Sequence, residues 1–144
     1  MARHIGLTEA LAGLHLPVAN LGHPVPLKFS FGGAIGVSRT ALESDLILNV
    51  PKLKAHSQMR VTGAVKNLFG CVSGMRKAMA HSKYGDKGNK FESMIVEIVE
   101  ALPPVTSLMD GITAMHRTGP MGGDSYPLGL LGACTNPVAL DTAI

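Results

Sequence analysis

Apolar residues at helical spacing predict one clear helix over residues 91–102. The positions that share its apolar face are Phe91, Met94, Ile95, Ile98, Val99 and Leu102. Glutamates occupy much of the opposite side, as expected for a helix with one face on a core. Pro103 and Pro104 end the pattern, because proline cannot continue the helical hydrogen-bond ladder.

Short apolar runs predict three buried strands, over residues 45–50, 105–110 and 128–133. A nearly continuous apolar run of this length is typical of a strand covered on both faces. Pro51 ends the first run. Residues 35–39 are predicted as a further short strand.

Weaker signals predict short helices over residues 7–14, 62–69 and 137–144. Thr8 is expected to cap the first helix. Asn136 is expected to cap the last, with proline at the first helical position.

Glycine, proline and charged residues favour connections in the remaining stretches. Residues 52–58 are predicted as a loop, 74–89 as irregular chain, and 111–126 as a glycine-rich loop. The alternation of strands and helices predicts an α/β fold with a layered sheet of largely parallel strands and flanking helices. The 144 residues suit a single domain or an internal fragment of a longer protein, in which case the domain is incomplete.

Bulk composition argues against disorder and against a membrane span. Apolar residues make up 46% of the chain and charged residues 16%. No apolar run approaches the roughly 20 residues that span a bilayer. Cys71 and Cys134 lie far apart and are expected to be reduced thiols, so we predict a cytoplasmic protein.

Positive charge is concentrated between Lys52 and Lys90. That stretch holds seven Lys, two Arg and one acidic residue, a net charge of +8 in a chain whose total is +3. Glycines interrupt the stretch and free backbone amides beside the cations, which favours an anion-binding site over a merely solvated surface. Nucleic acid is a weaker candidate, because only Phe69 and Tyr84 offer stacking platforms there.

The candidate catalytic residues are His56 and His81, which flank the basic segment. Histidine transfers protons near neutral pH, although it also occurs in loops without a role. The candidate ligand-binding residues are Lys52, Lys54, Lys66, Asn67, Asp110, Gly122 and Gly123. No histidine spacing indicates a metal site, and the phosphate-loop, dinucleotide and nucleophile-elbow motifs are absent.

Several ordered segments resemble one protein family. The run Asp45-Leu-Ile-Leu-Asn-Val-Pro-Lys-Leu-Lys-Ala-His56 and the run Thr62-Gly-Ala-Val-Lys-Asn-Leu-Phe-Gly70 are similar to signatures of domain of unknown function 362. His81, the Asp110 and Gly119–Gly123 loop, and Asn136-Pro-Val-Ala-Leu-Asp141 match further elements in order. The resemblance covers residues 45–144. Asn136 stands where the family usually has Asp.

This resemblance implies a mainly prokaryotic family whose members are often fused to a ferredoxin-like domain with an iron–sulfur cluster. This chain lacks the cysteine motif of such a domain, so any cluster is expected only in a fused or partner domain, and no cofactor is expected in this chain.

Three functional hypotheses stay open. The first is an enzyme domain that binds the carboxylate or phosphate of a small metabolite, linked to redox chemistry through a cluster domain. The second is a non-catalytic module that docks an acidic partner such as a ferredoxin. The third is a fragment whose site is completed by further sequence or by a second subunit in a homo-oligomer.

Overall fold

The fold was analysed in a computed structural model, which describes residues 6–16, 18–57, 59–72, 74–85, 88–119 and 122–144. The helices are α1 (Leu7–Leu11), α2 (Arg39–Leu42), α3 (Ala64–Leu68), α4 (Arg76–Tyr84), α5 (Lys90–Ala101) and α6 (Pro137–Thr142). The strands are β1 (Pro24–Lys28), β2 (Ala34–Ser38), β3 (Ile47–Asn49), β4 (Lys52–His56), β5 (Arg60–Thr62), β6 (Val105–His116) and β7 (Asp124–Cys134). Two 3-10 turns follow α1 and α3, at Ala12–Leu14 and Phe69–Cys71.

The main sheet is organised around β6. This strand pairs in parallel with β3 and β4 and antiparallel with β7, while β5 pairs antiparallel with β4. Strands β1 and β2 form a separate antiparallel pair. The predicted α/β fold, with parallel strands at its centre and helices beside the sheet, is confirmed.

β3 and β4 pair one after the other along the same edge of β6. Ile47 pairs with Val105 and Lys52 with Asp110, so the same offset of 58 residues is kept on both sides of Pro51. The amide of Asp110 donates to the carbonyl of Pro51 at 2.9 Å, which continues the ladder through the interruption. His56 therefore lies at the carboxyl end of β4, the second of these two strands.

Only one face of this sheet is covered within the described residues. Helices α3 and α6 pack against β6, and the inward side chains Asn49, Ser107 and Met109 are buried. On the opposite face Leu48 is 66% exposed and Leu131 is 64% exposed. The prediction of strands buried on both faces was therefore wrong for β3 and β7.

Helix α5 confirms the clearest prediction from the sequence. Its side chains Phe91, Met94, Ile95 and Ile98 are almost completely buried in the main hydrophobic cluster. The helix contacts α3, α4 and the 3-10 turn at Phe69–Cys71. On its outer side, the Glu97 carboxylate accepts hydrogen bonds from Ser30, at 2.9 Å from the amide and 2.6 Å from the hydroxyl. This bond ties the β1–β2 turn to the helix.

A carboxylate from the end of the chain caps α3. Gly63 is the N-cap residue of α3 and has no side chain to offer. Asp141 of α6 accepts hydrogen bonds from the amides of Ala64 at 2.6 Å and Val65 at 2.9 Å. A Cβ at position 63 would overlap the Asp141 carboxylate, so the glycine is required for this approach.

Three segments predicted as connections are regular structure. Residues 52–56 form β4, residues 76–84 form α4, and the predicted loop over 111–126 contains the ends of β6 and β7. The residues of β4 alternate Lys-Leu-Lys-Ala-His, a period of two that indicates a strand, and their charges obscured it. Helix α4 buries only Ala80 and Tyr84, so its apolar stripe is too thin to recognise.

The predicted terminal helices are shorter than expected. The first helix begins after Gly6, and Thr8 lies inside it rather than capping it. The last helix confirms Asn136 as its cap, because the Asn136 side chain accepts from the amides of Val138 and Ala139. Among the described residues no helix has the length and apolar character to cross a membrane.

Replacing Asp141 with Ala should lower the free energy of unfolding by about 1–2 kcal/mol, because two amides at the start of α3 lose their acceptor. Urea denaturation followed by circular dichroism measures the change. Asp124→Ala is the matched control, since it removes a carboxylate from an exposed ion pair with Arg117 and should cost less than about 0.5 kcal/mol.

Gly63→Ala tests the close approach separately. It should destabilise the wild-type protein, but much less in the Asp141→Ala background, where the carboxylate that it would overlap is gone. Equal effects in the two backgrounds would show that Gly63 and Asp141 are not coupled.

Candidate functional site

A polar cleft of about 290 Å³ opens where β4 and β5 meet α3 and α4. The residues that line it are His56, Thr62, Lys66, Asn67, Phe69, Gly70, Lys77 and His81. Two lysines and two histidines face one cleft, and none of these lining residues is acidic. The cleft therefore concentrates positive charge.

Helix α3 carries two of these side chains, and buried amides fix its position. Asn49, at the end of β3, donates from its Nδ2 atom to the Ala64 carbonyl and to the Ser107 hydroxyl, each at 3.0 Å. Its Oδ1 atom accepts from Nδ2 of Asn67 at 2.8 Å. Since Asn49 is 4% exposed, this network anchors Asn67 to the sheet.

The Lys66 ammonium lies against two aromatic rings. Its Nζ atom is 4.7 Å from the ring centre of Phe69 and 5.5 Å from that of Phe91. Burial, with the positive charge of Lys77 as a second cause, lowers the pKa of Lys66 to about 8. The ring faces attract the ammonium form and oppose this shift, but they do not replace the lost water.

The two histidines stack within the cleft. The rings of His56 and His81 are 6.1 Å apart and nearly parallel, at 14°, and the His81 ring is 4.4 Å from that of Phe91. Burial and then the charge of Lys66 lower the pKa of both imidazoles, and His56 lowers that of His81 further. Both rings are therefore mainly neutral at pH 7, the state in which an imidazole can accept a proton.

The backbone fixes the orientation of one of these rings. Nδ1 of His56 accepts a hydrogen bond from the Met59 amide at 3.2 Å. In the neutral ring the proton therefore resides on Nε2. Thr62 adds a hydroxyl to the cleft, and its Oγ1 atom is buried without a hydrogen-bond partner among the described residues.

Neither Lys66 nor Lys77 pairs with an acidic side chain within the described part of the chain. The ion pairs found there are Arg39–Glu43, Lys52–Asp110 and Arg117–Asp124, and none of them includes Lys66 or Lys77. A bound anion would supply the missing negative charge.

The structure brings together four of the residues predicted from the sequence: His56, His81, Lys66 and Asn67. It places the others elsewhere. Lys52 pairs with Asp110 at 2.7 Å on the uncovered face of the sheet, and this hydrogen bond lowers the pKa of Asp110. Lys54 lines a separate cavity beside Asp141.

The two predicted glycines lie in the turn between β6 and β7. The Gly122 carbonyl accepts from the Thr118 hydroxyl at 3.0 Å, and Gly123 approaches the backbone of His116 closely. They serve the geometry of this turn and do not line the polar cleft.

Sequence reasoning missed Lys77 and Thr62 as cleft residues. Lys77 lies on α4, which had been predicted as irregular chain, so nothing indicated that it precedes His81 by one helical turn. That spacing places both side chains on one side of α4. Thr62 had been assigned to a helix start, whereas it ends β5.

A family model and one relative match this chain. The family model described as "Domain of unknown function (DUF362)" matches residues 1–144, which extends the resemblance beyond residues 45–144. A thylakoid-associated protein of Synechocystis sp. is 39% identical over 146 aligned residues. The alignment covers 100% of this chain and 45% of that protein. No solved structure matched.

Lys66 should give the protein a pH-dependent stability that Lys66→Met lacks. The folded protein loses the Lys66 proton near pH 8, while the unfolded chain keeps it up to about 10.5. Within that window the unfolded state binds more protons, so the stability of the wild type should rise with pH relative to the variant. Chemical denaturation of both proteins across the window measures the difference, and parallel curves would refute the shift.

Lys66→Met should also raise the pKa of His56 and His81, because it removes a positive charge that disfavours both imidazolium forms. The pKa values should remain below the ordinary value, since burial persists as the larger cause. NMR titration of the imidazole carbon-bound protons measures both. Lys54→Met removes the same charge outside the cleft and should leave the titrations unchanged.

Proposed function

This chain belongs to the DUF362 family, and we propose that its polar cleft binds the carboxylate or phosphate group of a small metabolite. The observation that carries the proposal is a cleft lined by Lys66, Lys77, His56 and His81, in which neither lysine forms an ion pair with a described acidic residue. Grouping like charges in a partly buried cleft is unfavourable, and an anion removes that cost.

The cleft offers both charged and neutral donors to such a ligand. Lys66 and Lys77 supply the charge, while Asn67 and Thr62 supply an amide and a hydroxyl for a second polar group. Its volume of about 290 Å³ is at the lower end of the range of small-molecule sites. These features favour a compact, polar metabolite.

We further propose that the imidazoles transfer a proton to or from that ligand. Both rings are neutral at pH 7, since burial lowers their pKa, and Nδ1 of His56 is oriented by the Met59 amide. A neutral imidazole beside a bound acid is a suitable general base. This assignment makes the cleft the active site of an enzyme domain.

A docking role for an acidic protein, such as a ferredoxin-like domain, is the second candidate. Arg76 and Lys83 on α4 are exposed and form no ion pair among the described residues, so they extend the positive surface beyond the cleft. We also propose that such a partner carries an iron–sulfur cluster. A separate proposal is that the chain self-associates through the uncovered face of its sheet.

A cytoplasmic location is also proposed rather than established. The free thiols Cys71, which is buried, and Cys134 support it, because reducing compartments keep such thiols unpaired. The relative from Synechocystis is described as thylakoid-associated, and cell fractionation would distinguish the two locations.

Phosphate and small dicarboxylates should bind to the wild-type protein and shift the NMR signals of His56 and His81. Lys66→Met or Lys77→Met should weaken binding about tenfold or more, as expected for the loss of one charge-assisted hydrogen bond. Isothermal titration calorimetry at constant ionic strength gives the dissociation constants.

Lys54→Met is the matched control, because it removes one lysine charge from outside the cleft and should change affinity less than about threefold. Equal losses of anion affinity in all three lysine variants would show that the anion responds to the general positive charge of the surface and not to a specific site. Absence of anion binding, together with strongly salt-dependent binding of an acidic protein, would favour the docking role.

A further inference from the structure

We propose that Lys66 forms an imine with the carbonyl carbon of a small 2-oxo carboxylate held in the polar cleft. This inference rests on the proposed anion site and names its substrate class. In this inference Lys66 is the nucleophile and Lys77 binds the carboxylate, so the two lysines have different roles.

The surroundings of Lys66 suit a nucleophilic amine. Its Nζ atom lies over Phe69 and Phe91, in a cleft where no described carboxylate pairs with it. A carboxylate partner would hold the lysine as an ammonium, which has no lone pair to donate. Burial lowers the pKa of Lys66 to about 8, so the neutral amine is available near physiological pH.

Lys77 explains why the substrate would carry a carboxylate next to its carbonyl. Both residues line the same cleft, and the positive charge of Lys77 contributes to the lowered pKa of Lys66. If Lys77 binds the carboxylate, the adjacent carbonyl carbon is held near the Lys66 amine. A simple ketone lacks this anchor and would be oriented poorly.

The remaining groups of the cleft suit the other atoms of the reaction. On rotation of its side chain, the Thr62 hydroxyl, which is buried without a described partner, would donate to the carbonyl oxygen. His56 and His81 are neutral bases that relay protons between nitrogen and oxygen. Phe69 lines the cleft on its apolar side, with its ring 5.6 Å from that of the fully buried Phe91.

The step balances without any further reactant. The nitrogen lone pair of neutral Lys66 forms a bond to the carbonyl carbon, and the electrons of the carbonyl double bond move to oxygen. The two hydrogens of the amine are transferred through the imidazoles to that oxygen, which leaves as water. A carbon–nitrogen double bond replaces the carbonyl, with no change of oxidation state.

Reductive trapping tests the proposal. The wild-type protein is incubated with pyruvate and sodium cyanoborohydride near neutral pH, digested and mapped by mass spectrometry. Lys66 should carry the carboxyethyl adduct at least about tenfold more often than any exposed lysine, because its amine is deprotonated at lower pH. Acetone lacks a carboxylate for Lys77 to hold, so it should label Lys66 with a smaller preference that reflects the lowered pKa alone.

Two variants separate the roles of the lysines. Lys66→Arg keeps the positive charge but cannot form an imine, so the anion-induced shifts of His56 and His81 should persist without an adduct. Lys77→Met should lower the pyruvate adduct on Lys66 toward the acetone level. Lys54→Met should leave the labelling unchanged.

The outcomes distinguish this inference from the anion site beneath it. If pyruvate shifts the histidine signals but labelling spreads evenly over the lysines, the imine is excluded and the anion site stands. If neither pyruvate nor phosphate shifts those signals, both proposals fail. Selective labelling of Lys66 that survives in Lys77→Met would retain the nucleophile and exclude the proposed carboxylate anchor.

Discussion

The pair of hydrogen bonds from the amides of α3 to Asp141 is the constraint on which the cleft depends. A helix of five residues is too short to be stable alone, and its glycine N-cap provides no side-chain acceptor. The Asp141 carboxylate supplies one and adds negative charge at the positive end of the helix. Lys66 and Asn67 follow within one turn, so the same bonds position them.

The cleft and the hydrophobic core share a wall. Phe91 is buried in the main core cluster, yet its ring contacts His81 and lies within 5.5 Å of the Lys66 amine. Close packing therefore restricts these side chains as well as hydrogen bonding does. The lowered pKa of Lys66 follows from this arrangement, because a lysine pressed against core aromatics loses part of its hydration.

The sequence was most informative where one physical signal dominated. Periodicity predicted α5, and the cap at Asn136 was recognisable from residue type alone. Charge, glycine content and family resemblance made His56, Lys66 and His81 candidates, and the structure places them in one cleft, while their role stays a prediction. Their contact in one cleft could not be predicted, since it depends on how α3 and α4 each pack against α5.

Other predictions from the sequence differ from the structure for physical reasons that can be named. Lys52 was grouped with the site, but its partner Asp110 lies 58 positions away and is brought beside it only by strand pairing. The apolar runs of β3 and β7 indicated full burial, whereas pairing fixes which side each residue faces and leaves Leu48 and Leu131 exposed. Long-range pairing is the information that local patterns lack.

The separation between Asp141 and the amides that it caps has a consequence for synthesis of the protein. The bond to Ala64 joins residues 77 positions apart. After α3 has been synthesised, the ribosome still has to translate β6, β7 and α6 before Asp141 can cap that helix. The cleft therefore forms late, and a nascent chain halted before residue 141 would carry its basic helix without the contact that positions it.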